Sequence, residues 1–394
     1  FCANMTVEMD DTDKLKVLFE DARKNFGMEF EPPNINRGRY RFEPVTNTVI
    51  RYGLGAVKGT GQQAIEAIVA AREGRGDGPR GATSGPFTSL FDFCVRVDRS
   101  KINKRTVDAL IKAGAFDTLD QNRAALSASL DRAFDFSTAQ LANANQGGLF
   151  DMMGDDAHGS STQEPELVDV PPWGVRERLM LEKSALGFYL SGHLFDESAR
   201  EVGRFVRTRL SELTEGRETQ TVAGIISDFR VVNGQRGRQG IFQLDDGAGR
   251  VEASASEAVI TAFRDLLKDD ELVILSGRLQ PGRNGFEARF IVQQVMDLAT
   301  ARCRFGKYLR VAVGEKPPEV ARLLREFSAR RESTEDGELQ HGLRVRLGLR
   351  CTEGQEAAVA ELQLGEAYRT YPTDAALAAW RAQAAGGDAV VVYE

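Results

Sequence analysis

QTVAGIISDFRVVNGQRGRQGIFQLD, residues 220–245, opens the part of the chain where apolar residues begin to recur at a period close to two. That period belongs to a strand with one buried face. The stretch is read as two strands, near 220–233 and 238–245, joined by Asn233-Gly234-Gln235-Arg236-Gly237-Arg238-Gln239. Further strands are expected near 250–255, 271–280 and 285–298, with a helix over Glu257–Lys268 between the third and the fourth. Five strands with one helix after the third is the order of an OB-fold β-barrel. Such barrels hold single strands in a groove flanked by loops, using basic and aromatic side chains. Arg236 and Arg238 lie in the first long loop, with Arg230, Arg278, Arg283 and Arg289 near in sequence. Phe229, Phe242, Phe286 and Phe290 are the available aromatics, and strand alternation turns at least two of them into the barrel. An arginine in a hairpin loop is otherwise simply solvated.

Either side of the barrel the period changes. Beyond it, strand 307–313, helix 317–330, strands 343–350 and 357–364, helix 374–384 and strand 389–394 make a small α/β module. Ahead of it, residues 174–215 have helical periodicity. Residues 137–172 are rich in Gln, Asn, Gly, Asp, Ser and Pro and are read as a mobile connection. Residues 13–26 place Leu15, Leu18, Phe19 and Ala22 on one helical face, with Gly27 as a stop signal. Pro32-Pro33-Asn34 leads into an extended stretch. Helices are expected after Gly53 and from about Phe87 to Phe136, broken near Ser100 and at Gly114. The fold class is multidomain α+β.

The chain has 394 residues, with 51 Lys+Arg against 58 Asp+Glu, a formal net charge of −7. No apolar run approaches the ~20 residues of a membrane-spanning helix, so no membrane partner is expected. Cys2, Cys94, Cys303 and Cys351 never form a CxxC pair, which excludes a zinc ribbon and gives no support for a disulfide framework. The cytoplasm is the expected compartment. The acidic balance weighs against a protein that grips nucleic acid over its whole surface. Locally the balance differs, because residues 220–310 hold 13 Lys+Arg and 11 Asp+Glu. Phe1 in place of an initiator methionine suggests a chain cut from something longer.

The stretch Tyr52-Gly53-Leu54-Gly55-Ala56-Val57-Lys58-Gly59-Thr60-Gly61 precedes a helix with Ile65, Ile68 and Val69 on its buried side. A Gly-x-Gly turn there turns backbone N–H groups outward, and such groups bind a phosphate without reading the base. By itself the turn is as consistent with a plain tight turn. The βαβ unit and third glycine of a dinucleotide fingerprint are missing, so helix-hairpin-helix is the better description. A degenerate second copy, Leu110-Ile111-Lys112-Ala113-Gly114-Ala115-Phe116, is expected to be structural. In Gln146-Gly147-Gly148-Leu149-Phe150 two large apolar residues stand inside a solvated linker, as in a short peptide that docks in a partner's pocket. Their spacing from Gln146 matches Gln-x-x-Leu-Phe sliding-clamp peptides, although Gly147 and Gly148 depart from richer versions. Asp10-Asp11-Thr12-Asp13 precedes an amphipathic helix, where Asp is a natural N-cap. Asp245-Asp246-Gly247 reads as a turn. No metal site, no catalytic residue and no cofactor is assigned to this chain.

Together these segments resemble the carboxy-terminal part of the bacterial replicative DNA polymerase III alpha subunit family. The most specific are Pro33-Asn34-Ile35-Asn36, the Tyr52–Gly61 run, Leu110–Asp117 and Glu182-Lys183-Ser184-Ala185-Leu186-Gly187-Phe188-Tyr189-Leu190-Ser191-Gly192-His193. The resemblance implies the end of the fingers region over 1–50, tandem helix-hairpin-helix over 51–136 and a flexible clamp-binding segment over 137–172. A helical connector over 173–217, an OB-fold over 218–300 and a tau-binding domain over 301–394 follow. It implies that Lys58, Gly59, Thr60 and Gly61 touch primer–template duplex, and that the barrel near Arg236 and Arg238 tracks single-stranded template. Gln146, Leu149 and Phe150 would enter the beta sliding clamp, and the tail would meet the tau subunit of the clamp loader. The polymerase carboxylates, and the Mg2+ they would hold, are expected upstream, so this chain should be inactive alone. Two alternatives stand beside this: a stand-alone DNA-repair or single-strand-binding adaptor, and a nuclease using Asp10, Asp11 and Asp13.

Overall fold

Two units, Phe1–His193 and Leu194–Glu394, make up the computed structural model. It describes the chain except residues 76–83, 151–162, 235–236, 283–287, 315–316, 335–336, 354–355 and 394. The side chains of 143–150, 234, 332–334, 337–338, 350–353 and 356–357 are also outside the description.

The first unit begins with α1 (Cys2–Val7) and α2 (Thr12–Phe26). Asp11 caps α2, its carboxylate accepting from Lys14 N at 3.2 Å, so this aspartate serves as a helix cap. Gly27, at φ +62°, ends the helix in the left-handed region that glycine enters without strain. Leu15, Phe19 and Ala22 are buried. Three short strands, β1 (Glu29–Glu31), β2 (Glu43–Pro44) and β3 (Val49–Arg51), form a small sheet in the order β1-β3-β2. A single 3-10 turn, Leu54–Ala56, leads towards α3 (Gln62–Arg72). Then come α4 (Leu90–Arg96), α5 (Lys104–Lys112) and α6 (Arg123–Ala128), capped by Ser89, Asn103 and Asn122 respectively. The unit closes with α7 (Leu130–Phe150) and α8 (Val175–Leu186). One core runs through it, with Tyr52, Ile65, Ile68, Phe93, Leu110 and Phe116 fully buried.

Residues 137–172, expected to be a mobile connection, carry more structure than their composition suggests. The backbone stays helical to Phe150. Ser137 is fully buried, and Arg99 donates to the Phe134 carbonyl at 2.7 Å and also bonds Ser137. Farther on, Val168 N donates to Ser129 Oγ at 2.8 Å and Asn122 Nδ2 donates to the Val170 carbonyl at 2.9 Å. Polar composition marks low hydrophobic drive, but these tethers come from side chains distant in sequence.

In the second unit α9 (Asp196–Val202) precedes the barrel strands β4 (Gln220–Gly234), β5 (Gly237–Asp245) and β6 (Arg250–Ser256). Helix α10 (Glu257–Ala262) follows, then β7 (Leu272–Gln280) and β8 (Arg289–Met296). The barrel closes in the order β4-β5-β6-β8-β7, with β6 and β8 parallel. This is the strand order of the OB-fold. Val222, Ile226, Phe242, Leu244, Ala253 and Phe290 fill its interior. At Gly277 the register between β7 and β8 shifts, and a Cβ there would lie 2.8 Å from Phe290 Cε1 and closer still to the Ile291 carbonyl. Gly277→Val is expected to cost the barrel about 1–3 kcal/mol or more by overpacking, read as a lower urea midpoint.

The chain ends in α11 (Leu298–Phe305), β9 (Tyr308–Val313), α12 (Val320–Glu326), β10 (Arg330–Thr334), β11 (Gly337–His341), β12 (Leu343–Glu353), β13 (Glu356–Gln363), β14 (Arg369–Thr370), α13 (Asp374–Gln383) and β15 (Ala389–Val392). The main sheet runs β13-β12-β9-β15, and Trp380, wholly buried, packs with Leu309, Val311, Leu323 and Val345. The α/β module is as expected, with one correction. The helix expected over 317–330 is shorter, and β10–β11 form a hairpin after it. The Phe327 carbonyl is taken by Tyr371 N at 2.8 Å and Thr370 Oγ1 at 3.1 Å. Those bonds from a strand more than forty residues away cap the chain where helix would otherwise continue.

Glu201 on α9 ties this module together. It accepts two bonds from Arg302, at 2.8 and 2.7 Å, and one from Tyr393 Oη at 2.5 Å. Burial pushes its carboxyl up, but the bonds and charge of Arg302 and the bond from Tyr393 outweigh that and hold it below the ordinary range. Arg302 is 3% exposed. Glu201→Ala is expected to cost about 3–5 kcal/mol in chemical denaturation, because it strips a buried guanidinium of its main partner. Because the folded carboxyl titrates low, its stabilisation is complete above the ordinary carboxylate range and is lost as pH falls through the folded value.

Candidate nucleic-acid interface

The four glycines of Tyr52–Gly61 divide by environment. A Cβ on Gly53 would lie 2.8 Å from the backbone of Arg41 and Phe42, and one on Gly55 would strike Tyr40. Those two exist for close packing. Gly59, at φ +80°, and Gly61 have no atom within 4 Å of where a Cβ would stand, so both face open space. The turn between them is tied by hydrogen bonds. Thr60 Oγ1 donates towards the carbonyls of Leu54, at 2.9 Å, and Val57, at 2.6 Å. Lys58 N donates to the Ala185 carbonyl at 2.8 Å, which fixes the turn to the end of α8. Gly61 then begins α3 with no side-chain cap, leaving that helix N-terminus available to an anion. An open groove of about 650 Å³ lies there, lined by Gly59, Gly61, Gln62, Gln63, Glu66, Lys101 and Asn103. Lys58 and Lys101 are exposed. This arrangement offers backbone donors beside the cations of Lys58 and Lys101, with the Glu66 carboxylate one helical turn on, where it accepts from Gln62 Nε2 at 2.7 Å.

The second copy is closed. Gly114 has φ +83°, but the Arg123 guanidinium sits against it. Arg123 donates to both carboxylate oxygens of Asp117, at 2.7 and 2.6 Å, and to the Lys112 carbonyl at 3.0 Å. Its remaining bond, 3.4 Å, goes to Glu182, which is 1% exposed. Glu182 also accepts from Leu190 N at 2.6 Å and Ser191 N at 2.8 Å. The long Glu182–His193 motif is thus architecture: it joins the second hairpin to α8, whose end carries the first. Glu182→Ala is expected to destabilise this unit by about 3–5 kcal/mol, seen in thermal unfolding. Sequence reasoning marked the motif as unusual but not what it holds.

On the barrel, Phe242 and Phe290 are 1% and 0% exposed and face inward, as alternation required. Phe229 is half-buried, its ring centroid 6.0 Å from that of Phe242, and Phe286 lies outside the described residues. The outward stripe instead carries Arg230, Ile241, Gln243, Glu252, Arg289 and Ile291, brought side by side by the strand register. Arg238 is exposed, and its backbone N–H lies 3.4 Å from Glu257 Oε2. Arg236 lies outside the described residues, and so do the side chains of Gln146, Leu149 and Phe150, although the backbone of these three is helical. In the C-terminal module, Val320, Leu324, Leu364 and Tyr368 line an apolar groove of about 750 Å³ edged by Arg325 and Arg369. Among the described residues no group of His, Cys, Asp and Glu could hold a metal ion, and no helix is long and apolar enough to cross a membrane.

Fold and site therefore define a chain of two nucleic-acid-binding modules. The helix-hairpin-helix motif family matches residues 27–126, and the OB-fold nucleic acid binding domain family matches residues 220–298. The chain is homologous to the carboxy-terminal region of the DNA polymerase III alpha subunit family. The alpha subunit of Neisseria meningitidis serogroup B is 41% identical over 313 residues, covering 79% of this chain and 26% of that protein. That of Pseudomonas aeruginosa is 35% identical, covering 97% of this chain and 32% of that protein. The Vibrio cholerae subunit is 37% identical over 79% of this chain and 26% of its own length. The chain thus spans about a quarter to a third of the curated relatives it matches. Among solved structures, a small single-stranded DNA-binding protein from Streptomyces coelicolor aligns over 22% of this chain and 98% of its own at 18% identity. The TM-score is 0.19, too slight to carry an argument.

Proposed function

We propose that this chain is the DNA-positioning and partner-docking region of a replicative DNA polymerase. The observation that carries the proposal is the open hairpin Lys58–Gly61 at the uncapped start of α3, in a chain homologous to polymerase alpha subunits along most of its length. The hairpin holds primer–template duplex by its phosphates, and the outward arginines of the barrel hold single-stranded template. Gln146, Leu149 and Phe150 dock in the beta sliding clamp. The tail, 301–394, meets the tau subunit of the clamp loader, and its apolar, arginine-edged groove is suited to an acidic amphipathic segment. A weak clamp contact of this kind acts through effective concentration, keeping the catalytic site near its primer end. Two-metal phosphoryl transfer, with its Mg2+, belongs to the remainder of the longer polymerase, in the cytoplasm.

Titrating the full chain with duplex and with single strands over a range of salt tests the DNA part. The logarithm of affinity should fall linearly with the logarithm of salt, by about 0.9 per duplex phosphate neutralised. Binding that is absent, or indifferent to salt, removes the proposal.

A further inference from the structure

On the outer face of the barrel one carboxylate stands between two arginines from different strands. The register puts Glu252 of β6 opposite Arg289 of β8 and Gln243 of β5. Arg289 Nη2 is ion-paired with Glu252 Oε1. Glu252 Oε2 lies 4.0 Å from Arg230 Nη2 on β4, just past the register shift at Ser227–Arg230. Their strand neighbours Ala253 and Phe290 are buried inside the barrel, so Glu252 and Arg289 project outward. The Arg230 side chain is 67% exposed.

Two guanidinium groups converging on one anion is the arrangement that binds a phosphodiester as readily as a carboxylate. Its place in the fold is apt. Arg230 leads towards the turn between β4 and β5, and Arg289 directly follows the connection between β7 and β8. In an OB-fold those two loops flank the strand-binding groove.

We propose that Arg230 and Arg289 form a phosphate subsite for single-stranded nucleic acid, and that Glu252 fills it with its own carboxylate until a strand displaces it. The inference rests on the single-strand reading of the barrel given above. An exposed ion pair is weak and screened by salt, so a phosphate can replace the carboxylate at small cost. The described outward stripe has no aromatic platform for stacked bases, so such a subsite engages the strand through its phosphates. It also keeps the grip loose, which suits a protein that must let the strand advance.

Fluorescence anisotropy of the full 394-residue chain with a labelled oligodeoxythymidylate of about 20 nucleotides, across a salt series, tests this. Glu252→Gln is expected to bind about threefold to tenfold more tightly, with a salt slope steeper by about 0.7 for each arginine released. The Arg230→Ala, Arg289→Ala double variant should bind more weakly than wild type. Asp265→Asn, which removes a carboxylate whose side chain is 97% exposed elsewhere on the barrel unit, should change nothing. If Glu252→Gln binds as wild type while the arginine variant is weakened, the single-strand reading stands and the displaced carboxylate is wrong. If neither alters binding, this face is not the strand-binding face and both ideas fail. An equal gain for Asp265→Asn, or an equal gain on blunt duplex, reduces the effect to bulk charge and overturns the proposal.

Discussion

Alanine at both Leu149 and Phe150 is expected to abolish capture of the chain by the sliding clamp and to leave its duplex affinity unchanged. Each side chain, fully buried in a partner's pocket, contributes about 1.5–3 kcal/mol. Removing both takes away at least about 3 kcal/mol, more than a hundredfold in dissociation constant. Gly147 and Gly148 add no apolar contact between Gln146 and this pair, so little affinity remains once it is gone. Gln146→Ala should cost less, because it removes a hydrogen-bonding group and leaves the apolar anchors. Surface plasmon resonance on immobilised clamp reads the difference. Wild-type affinity in the double variant would end the clamp assignment, and the unchanged duplex binding serves as the folding control.

The second large effect is expected from Gly59→Val combined with Gly61→Val, which should weaken duplex binding by at least about tenfold. The salt slope should flatten by about 0.9 for each phosphate that the chain no longer neutralises. The two substitutions act differently. Gly59 sits at φ +80°, where a non-glycine residue costs about 1–2 kcal/mol, so valine there distorts the turn itself. Gly61 has φ −81° and open space around it, so valine fits without strain and simply shields the first N–H groups of α3. Gly61 is also the N-cap of α3, where valine is a poorer residue than glycine, so Gly61→Val alone should lower the melting temperature only slightly while lowering affinity equally for all duplex sequences. If Gly61→Val binds as wild type, the hairpin is only a turn.

Several elements were legible without coordinates. The five barrel strands follow from a period-two pattern that only one buried face can produce, and the observed strands agree with it closely. Helix α2 is announced by Asp11 at one end and Gly27 at the other. Like α12, the α10 helix is shorter than its sequence suggests: it was expected to reach Lys268 and stops at Ala262. Past it, Leu267 is buried in the barrel and the Asp269 carboxylate accepts from Phe229 N at 2.9 Å, so the chain turns inward early.

The candidate site was legible in kind but not in detail. Gly-x-Gly before an amphipathic helix named the hairpin, yet the same letters at Gly53-x-Gly55 are packing glycines. Six arginines in and around the barrel suggested a basic groove, but Glu252 between two of them is invisible in a linear reading, since Arg230, Glu252 and Arg289 meet only across three strands. The net charge of −7 was equally uninformative, because binding depends on which charges share a face.

Local order, then, is what the sequence by itself determined: caps, turns, the apolar period, and hence the helical region, the barrel and the α/β module in their order. Those features depend on interactions within a few residues, which the order of residues specifies directly. Only the tertiary structure decided that Gly59 and Gly61 are open while Gly114 is sealed by Arg123, that Glu182 spans from α8 to the second hairpin, and that Glu252 sits between two arginines. Each depends on groups distant in sequence brought within about 4 Å of one another. At that distance charge and hydrogen bonding become strong enough to choose between a binding surface and a buried joint.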